Sequence, residues 1–160
     1  MLQMWLENAA AYLYEKGRLP ALLIFLALAA FRDLQTRTIP CRLLAAGAMT
    51  ALLLDLCGIL SGRAEAAPLL MALIPGIFYL LMSLMSGAQI GQGDGLTILV
   101  LGLFAGPSLT VLITAAAQFV CAVCALLMLA MRRADRNTRI PFVPFILAAA
   151  ALLYLKGGGI

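Results

Sequence analysis

Two aspartates and a cluster of glycines are the residues whose types and spacing carry chemistry. Asp33 closes one apolar stretch, and Asp94 stands in Gly91-Gln92-Gly93-Asp94-Gly95 just before another. Asp33 follows Pro20 by 13 residues and Asp94 precedes Pro107 by the same 13. If both prolines mark outer ends of membrane helices, a rise of ~1.5 Å per residue sets both carboxyls ~20 Å below the outer interface, inside a hydrocarbon layer ~30 Å thick. Carboxyls held level can share a proton. One then takes a proton from water while its neighbour gives one to a peptide carbonyl oxygen, which is the chemistry of an aspartic protease. The glycines at 91, 93 and 95 permit left-handed dihedrals and leave no Cβ between Asp94 and an approaching peptide backbone. Taken singly, each aspartate reads as a helix cap and Gly-Asp-Gly as an ordinary turn. The match in depth is what separates the two readings.

Such carboxyls need a scaffold, and composition specifies which kind. Of 160 residues, 64% are hydrophobic and 11% charged, with a mean hydropathy of +1.06; soluble domains are about half apolar and a quarter charged. The expected fold is an all-α integral membrane protein, a bundle of about six transmembrane helices, because each crossing takes ~20 residues. Apolar segments run over 19–31, 43–60, 68–86, 96–105, 108–131 and 141–155. Residues 1–18 mix Glu7, Glu15, Lys16 and Arg18 with Trp5, Tyr12 and Leu13. They read as an amphipathic N-terminal segment on the membrane surface rather than a signal peptide, leaving 19–160 as the polytopic domain.

The loops between segments carry the charges. Placing alternate loops on one side gathers Arg32, Arg37, Arg42, Arg132, Arg133, Arg136 and Arg139 there, against Arg63 opposite. By the positive-inside rule the arginine-rich side, which also holds the Asp33 and Asp94 loops, is cytoplasmic. These arginines flank apolar helices and suit anionic lipid, so nucleic acid is not expected as a partner. Cys121 and Cys124 form a CxxC without a second pair, and the chain has no histidine to complete a zinc site. Helix packing accounts for them. Asp55, near the outer end of its helix, reads as an interfacial cap.

Three motifs in order resemble those of the type IV prepilin peptidases, a family of GxGD aspartic membrane proteases. They are Asp33 to Pro40, ending in Ile39-Pro40; Gly91 to Asp94; and Pro141-Phe142-Val143-Pro144-Phe145. The resemblance implies Asp33 and Asp94 as the catalytic pair, with no metal or organic cofactor. It also implies prepilin-like precursors as partners, cleaved at the cytoplasmic face of a bacterial inner membrane. It is to the short form, without an N-terminal methyltransferase region. Ile39, Pro40, Pro141, Phe142, Pro144 and Phe145 are expected to be structural, the phenylalanines lining a groove or facing lipid. Leu96 stands where the family often has a lysine, and Val143 where it often has a glycine. Two other classes remain open at this stage. A proton- or cation-coupled transporter would use the carboxylates for flux without cleavage, and an altered secretion scaffold would bind precursor without turnover.

Overall fold

The computed structural model describes residues 2–85, 91–132 and 140–157. They form five helices: α1 (Leu2–Thr36), α2 (Cys41–Leu60), α3 (Ala66–Met85), α4 (Gln92–Ala130) and α5 (Val143–Gly157). Four are long and apolar enough to cross a membrane, and α5 is a shorter apolar helix. The surface confirms the solvent these helices were made for. Leu60, Leu70 and Phe119 are at least 70% exposed while Asp33 and Asp55 are at most 5% exposed, the reverse of a water-soluble surface and the arrangement that hydrocarbon requires. The protein is a multi-pass membrane bundle.

The residues expected as a separate amphipathic segment are helical and run without interruption into the next apolar stretch, so Pro20 lies inside α1 and is not its outer start. Asp33 falls in the last turn of α1 and Asp94 in the first turn of α4, where loops were expected. Both helices therefore fix their carboxyls on rigid backbone. At the end of α1, Arg37 adopts a left-handed φ of 52° and its N–H donates to the Asp33 carbonyl at 2.9 Å. That closes the helix and releases the chain into Thr38-Ile39-Pro40. Pro40 then caps α2, its carbonyl accepting from the Leu43 and Leu44 N–H groups. Gly62, with φ 68°, ends α2 in the way a helix C-terminus favours glycine.

The interface of α3 with α4 is the largest in the bundle and is set by small residues. A Cβ on Gly102 would lie 2.1 Å from the Ala72 carbonyl oxygen, and one on Gly76 would lie 2.5 Å from the Leu99 Cα. A Cβ on Gly95 would meet Leu80 at 3.0 Å. Positions 72, 76 and 80 thus face 102, 99 and 95, an antiparallel register that only small side chains permit, since apolar lipid supplies no hydrophobic drive between helices and close backbone packing must do so. Along α1, Phe25 fits over Gly47 of α2 and stacks on Phe104 of α4 with ring centroids 6.2 Å apart.

α4 does not continue straight. Gly106, with φ 76° and ψ 172°, breaks the helix, and Pro107 supplies no N–H. Asp94 and Cys121 lie within electrostatic reach of each other, although a straight helix would hold them ~40 Å apart. The second limb must therefore fold back beside the first, as the turn expected at Gly106-Pro107 requires. The break leaves the Leu103 and Phe104 carbonyls without helical partners. Arg18 of α1 takes both, at 2.8 and 3.0 Å, and pairs with the buried Asp55 of α2 at 3.2 Å. Its guanidinium also lies over the Tyr14 ring and beside a cavity of about 460 Å³. Asp55 is thus an interior ion-pair partner and not the interfacial cap expected from sequence.

Candidate active site

Asp33 and Asp94 come from helices far apart in the chain, and the fold brings their carboxyls within range of each other's charge. The path to that pairing is local at each end. Asp33 is 5% exposed, and its Oδ2 accepts a hydrogen bond from the Val143 N–H at 3.1 Å, with the Phe142 N–H also directed at it. These amides belong to the start of α5. The Phe142 carbonyl accepts the first helical bonds, from Phe145 and Ile146, so the Val143 N–H is one of the helix's orphan donors. Pro144 has none to offer. The Asp33 carboxylate therefore caps α5 from 110 residues away, and α5 in turn holds the carboxylate in one orientation.

Val143 is fully buried against Ala29 and Ala30 of α1. A glycine there would leave that volume empty, which explains how this chain departs from the resemblance without disturbing the amide. Phe142 and Phe145 are half-buried on the main apolar cluster, so they brace α5 more than they face lipid. Ile39 bridges the two ends: it packs on the Ala29, Ala30 and Val143 cluster and stands over Gly93, where a Cβ would lie 3.4 Å from its Cδ1.

Asp94 is held by its own helix. Gly91 is the N-cap residue, with φ −65° and ψ 124°, and its carbonyl accepts the Asp94 N–H at 3.1 Å. The carboxylate turns back over Gly91, so that a Cβ there would stand 2.9 Å from Asp94 Oδ2. Among the described glycines only Gly62 and Gly106 have positive φ, so the left-handed dihedrals expected of the 91–95 string are not used. Each glycine instead makes room for a neighbour: Gly91 for the carboxylate, Gly93 for Ile39 and Gly95 for Leu80. An anionic group in a first helical turn also meets the positive end of the helix dipole.

Arg37 is the cation within electrostatic reach of Asp33. Leu96 points into the main apolar cluster, so the position two residues after Asp94 serves packing in this chain. Tyr79 of α3 was not singled out by sequence. It stands close enough to Asp94 to feel its charge, and its hydroxyl donates to Gln118 Oε1 of the second α4 limb. No motif marks either residue; only the α4 fold-back brings them together. Residues 86–90, part of the expected glycine-rich loop, and Arg133, Arg136 and Arg139 lie outside the described residues.

A family model described as the type IV leader peptidase family matches residues 21–126, about two thirds of the chain, including both aspartates. The Pro141 to Phe145 element lies beyond the matched span. No curated protein and no solved structure matches the chain.

Proposed function

The chain belongs to the type IV leader peptidase family and is a membrane aspartic endopeptidase of prepilin-like precursors, and from that premise we propose that Asp33 and Asp94 are its two catalytic carboxyls. The observation that carries this is that α1 and α4 bring them within reach of each other's charge, each held by a different device: the α5 amide at Asp33 and the Gly91 N-cap turn at Asp94.

In the proposed reaction the pair holds one proton between them. The ionised carboxylate takes a proton from water as the water oxygen bonds to the scissile carbonyl carbon, and the protonated partner gives its proton to the carbonyl oxygen. The tetrahedral diol collapses by breaking the C–N bond. Its hydroxyl proton returns to one carboxylate and the leaving amine takes the other, which restores the pair. α1 and α5 clamp Asp33 while α4 holds Asp94, so the carboxyls need not reorganise between steps.

The finer topology follows from the charges. Arg32, Arg37, Arg42 and Arg132 lie at the ends of α1, α2 and α4, and the positive-inside rule makes that end, with the aspartates, cytoplasmic in a bacterial inner membrane. The two limbs of α4 count as separate crossings in this reading, which gives six with α5, and the N-terminal part of α1 continues the first crossing towards the outer end of the bundle. The precursor presents a basic leader on the cytoplasmic side and lays its apolar helix beside the bundle. Gly91, Gly93 and Gly95 let the Asp94 carboxylate, Ile39 and Leu80 close on the first turn of α4, which holds Asp94 in place where the leader junction reaches it.

The test is processing of a co-expressed prepilin by Asp33→Asn and Asp94→Asn proteins shown to be inserted at wild-type levels. Each is expected to lose about 100-fold or more in rate. Processing at the wild-type rate by either would refute the assignment.

A further inference from the structure

Tyr79 and Gln118 are polar residues placed where the bundle meets lipid. Gln118 is exposed, and so are its neighbours Phe119 and Val120, at 71% and 48%. An amide on such a face is costly in hydrocarbon, because each unmet polar group there costs several kcal/mol. The Tyr79 hydroxyl meets part of that need. Gln118 Oε1 can only accept, so the bond from Tyr79 engages the carbonyl side of the amide and leaves its NH2 as the donating end.

Its depth matters most. Gln118 and Asp94 each lie 12 residues from Gly106, one on either limb of α4, so the fold-back sets them at one level, ~18 Å from the turn. Tyr79, which bonds Gln118, and Cys121, one turn further along the same limb, both lie within electrostatic reach of Asp94, in keeping with that count. A lipid-facing amide donor thus flanks the aspartates at their own depth.

A precursor helix entering from the bilayer must unwind around the scissile bond before a water can attack it. Unwinding frees backbone carbonyls and N–H groups in a medium without water to meet them. Resting on the peptidase reading above, we propose that Gln118, oriented by Tyr79, is a substrate-docking residue: its NH2 donates to a backbone carbonyl of the unwound leader junction and holds that segment against Asp94. The bond exists only when the peptide is extended, so it favours the conformation that can be cut. The plainer role, a polar tie between α3 and the second limb of α4, predicts something different. A tie acts on stability alone, and replacing both partners with apolar side chains restores it.

The experiment is cleavage of a purified prepilin-like precursor in liposomes, with KM and kcat measured for Gln118→Leu, Tyr79→Phe and the double variant. Docking predicts a KM about three- to tenfold higher for Gln118→Leu, the loss of one hydrogen bond, with kcat within about twofold of wild type. The double variant should resemble Gln118→Leu, and Tyr79→Phe should show a smaller rise. A wild-type KM for Gln118→Leu, or recovery in the double variant, overturns the proposal and leaves the peptidase assignment standing, since that is tested by Asp33→Asn and Asp94→Asn. Should Gln118→Leu fail to insert, a photocrosslinker settles the matter with Gln118 intact. Benzoylphenylalanine at Ala122, exposed one turn further along α4, is placed in Asp94→Asn protein, with Leu56 on the lipid face of α2 as control. Docking predicts precursor crosslinks from position 122 and not from 56. No crosslinks, or equal crosslinks from both, overturn it.

Discussion

Replacing Arg18 with methionine should be the most damaging change outside the aspartate pair, and more damaging than removing its acidic partner. Arg18 meets three needs at once: the charge of Asp55 at 3.2 Å and the two carbonyls, Leu103 and Phe104, orphaned by the Gly106-Pro107 break. Asp55 is 2% exposed and Arg18 21% exposed. Arg18→Met therefore leaves a buried charge without a partner and two carbonyls unmet, for a cost of about 3–5 kcal/mol. Asp55→Asn removes the acid but leaves Arg18 on its two carbonyls and partly hydrated, for about 1–2 kcal/mol. The double variant Arg18→Met, Asp55→Leu has no buried charge to strand, so it should be more stable than Arg18→Met alone. Thermal or SDS-titration unfolding of the purified proteins in one detergent gives all three values, and a double-mutant cycle gives the coupling. Equal losses for the two single variants, or strictly additive losses in the double, would refute the reasoning.

Three further outcomes follow from distances already given. Gly91→Ala puts a Cβ 2.9 Å from Asp94 Oδ2, so the carboxylate must move; kcat should fall about 10- to 100-fold with little change in unfolding temperature. Gly102→Ala puts a Cβ 2.1 Å from the Ala72 carbonyl oxygen, so α3 and α4 must separate; a loss of about 1–3 kcal/mol in the same unfolding assay is expected, whereas Gly17→Ala, with 3.4 Å to Leu54, should be nearly neutral. Val143→Pro deletes the N–H given to Asp33 at a first-turn position that tolerates proline. Prepilin processing should drop about tenfold while the inserted protein level holds, and unchanged processing would show that the α5 amide does not position Asp33.

The sequence alone determined the solvent and the class of fold, and it nominated the two carboxyls. An excess of apolar residues leaves lipid as the only medium for the chain, and carboxylates are rarely kept in lipid without a partner or a task, which marks Asp33 and Asp94 but also Asp55; it is the matched spacing and the glycines that set the first two apart. The Gly106-Pro107 turn was legible for the same local reason: a residue without Cβ followed by one without N–H cannot continue a helix. Tertiary structure decided the rest, because the rest depends on contacts between segments that no spacing encodes. The count from Pro20 assumed a helix start where α1 runs straight through, yet the aspartates still come within reach of each other's charge, since helix packing and not proline position places them. The glycines of 91–95 suggest left-handed dihedrals in the sequence, whereas the structure uses them as the clearances of a helix start. That Asp55 belongs to Arg18, that the Val143 amide belongs to Asp33, and that the Tyr79 hydroxyl belongs to Gln118 are consequences of which helix faces which. Each is a long-range pairing of one polar group with another, made obligatory because lipid supplies no alternative partner.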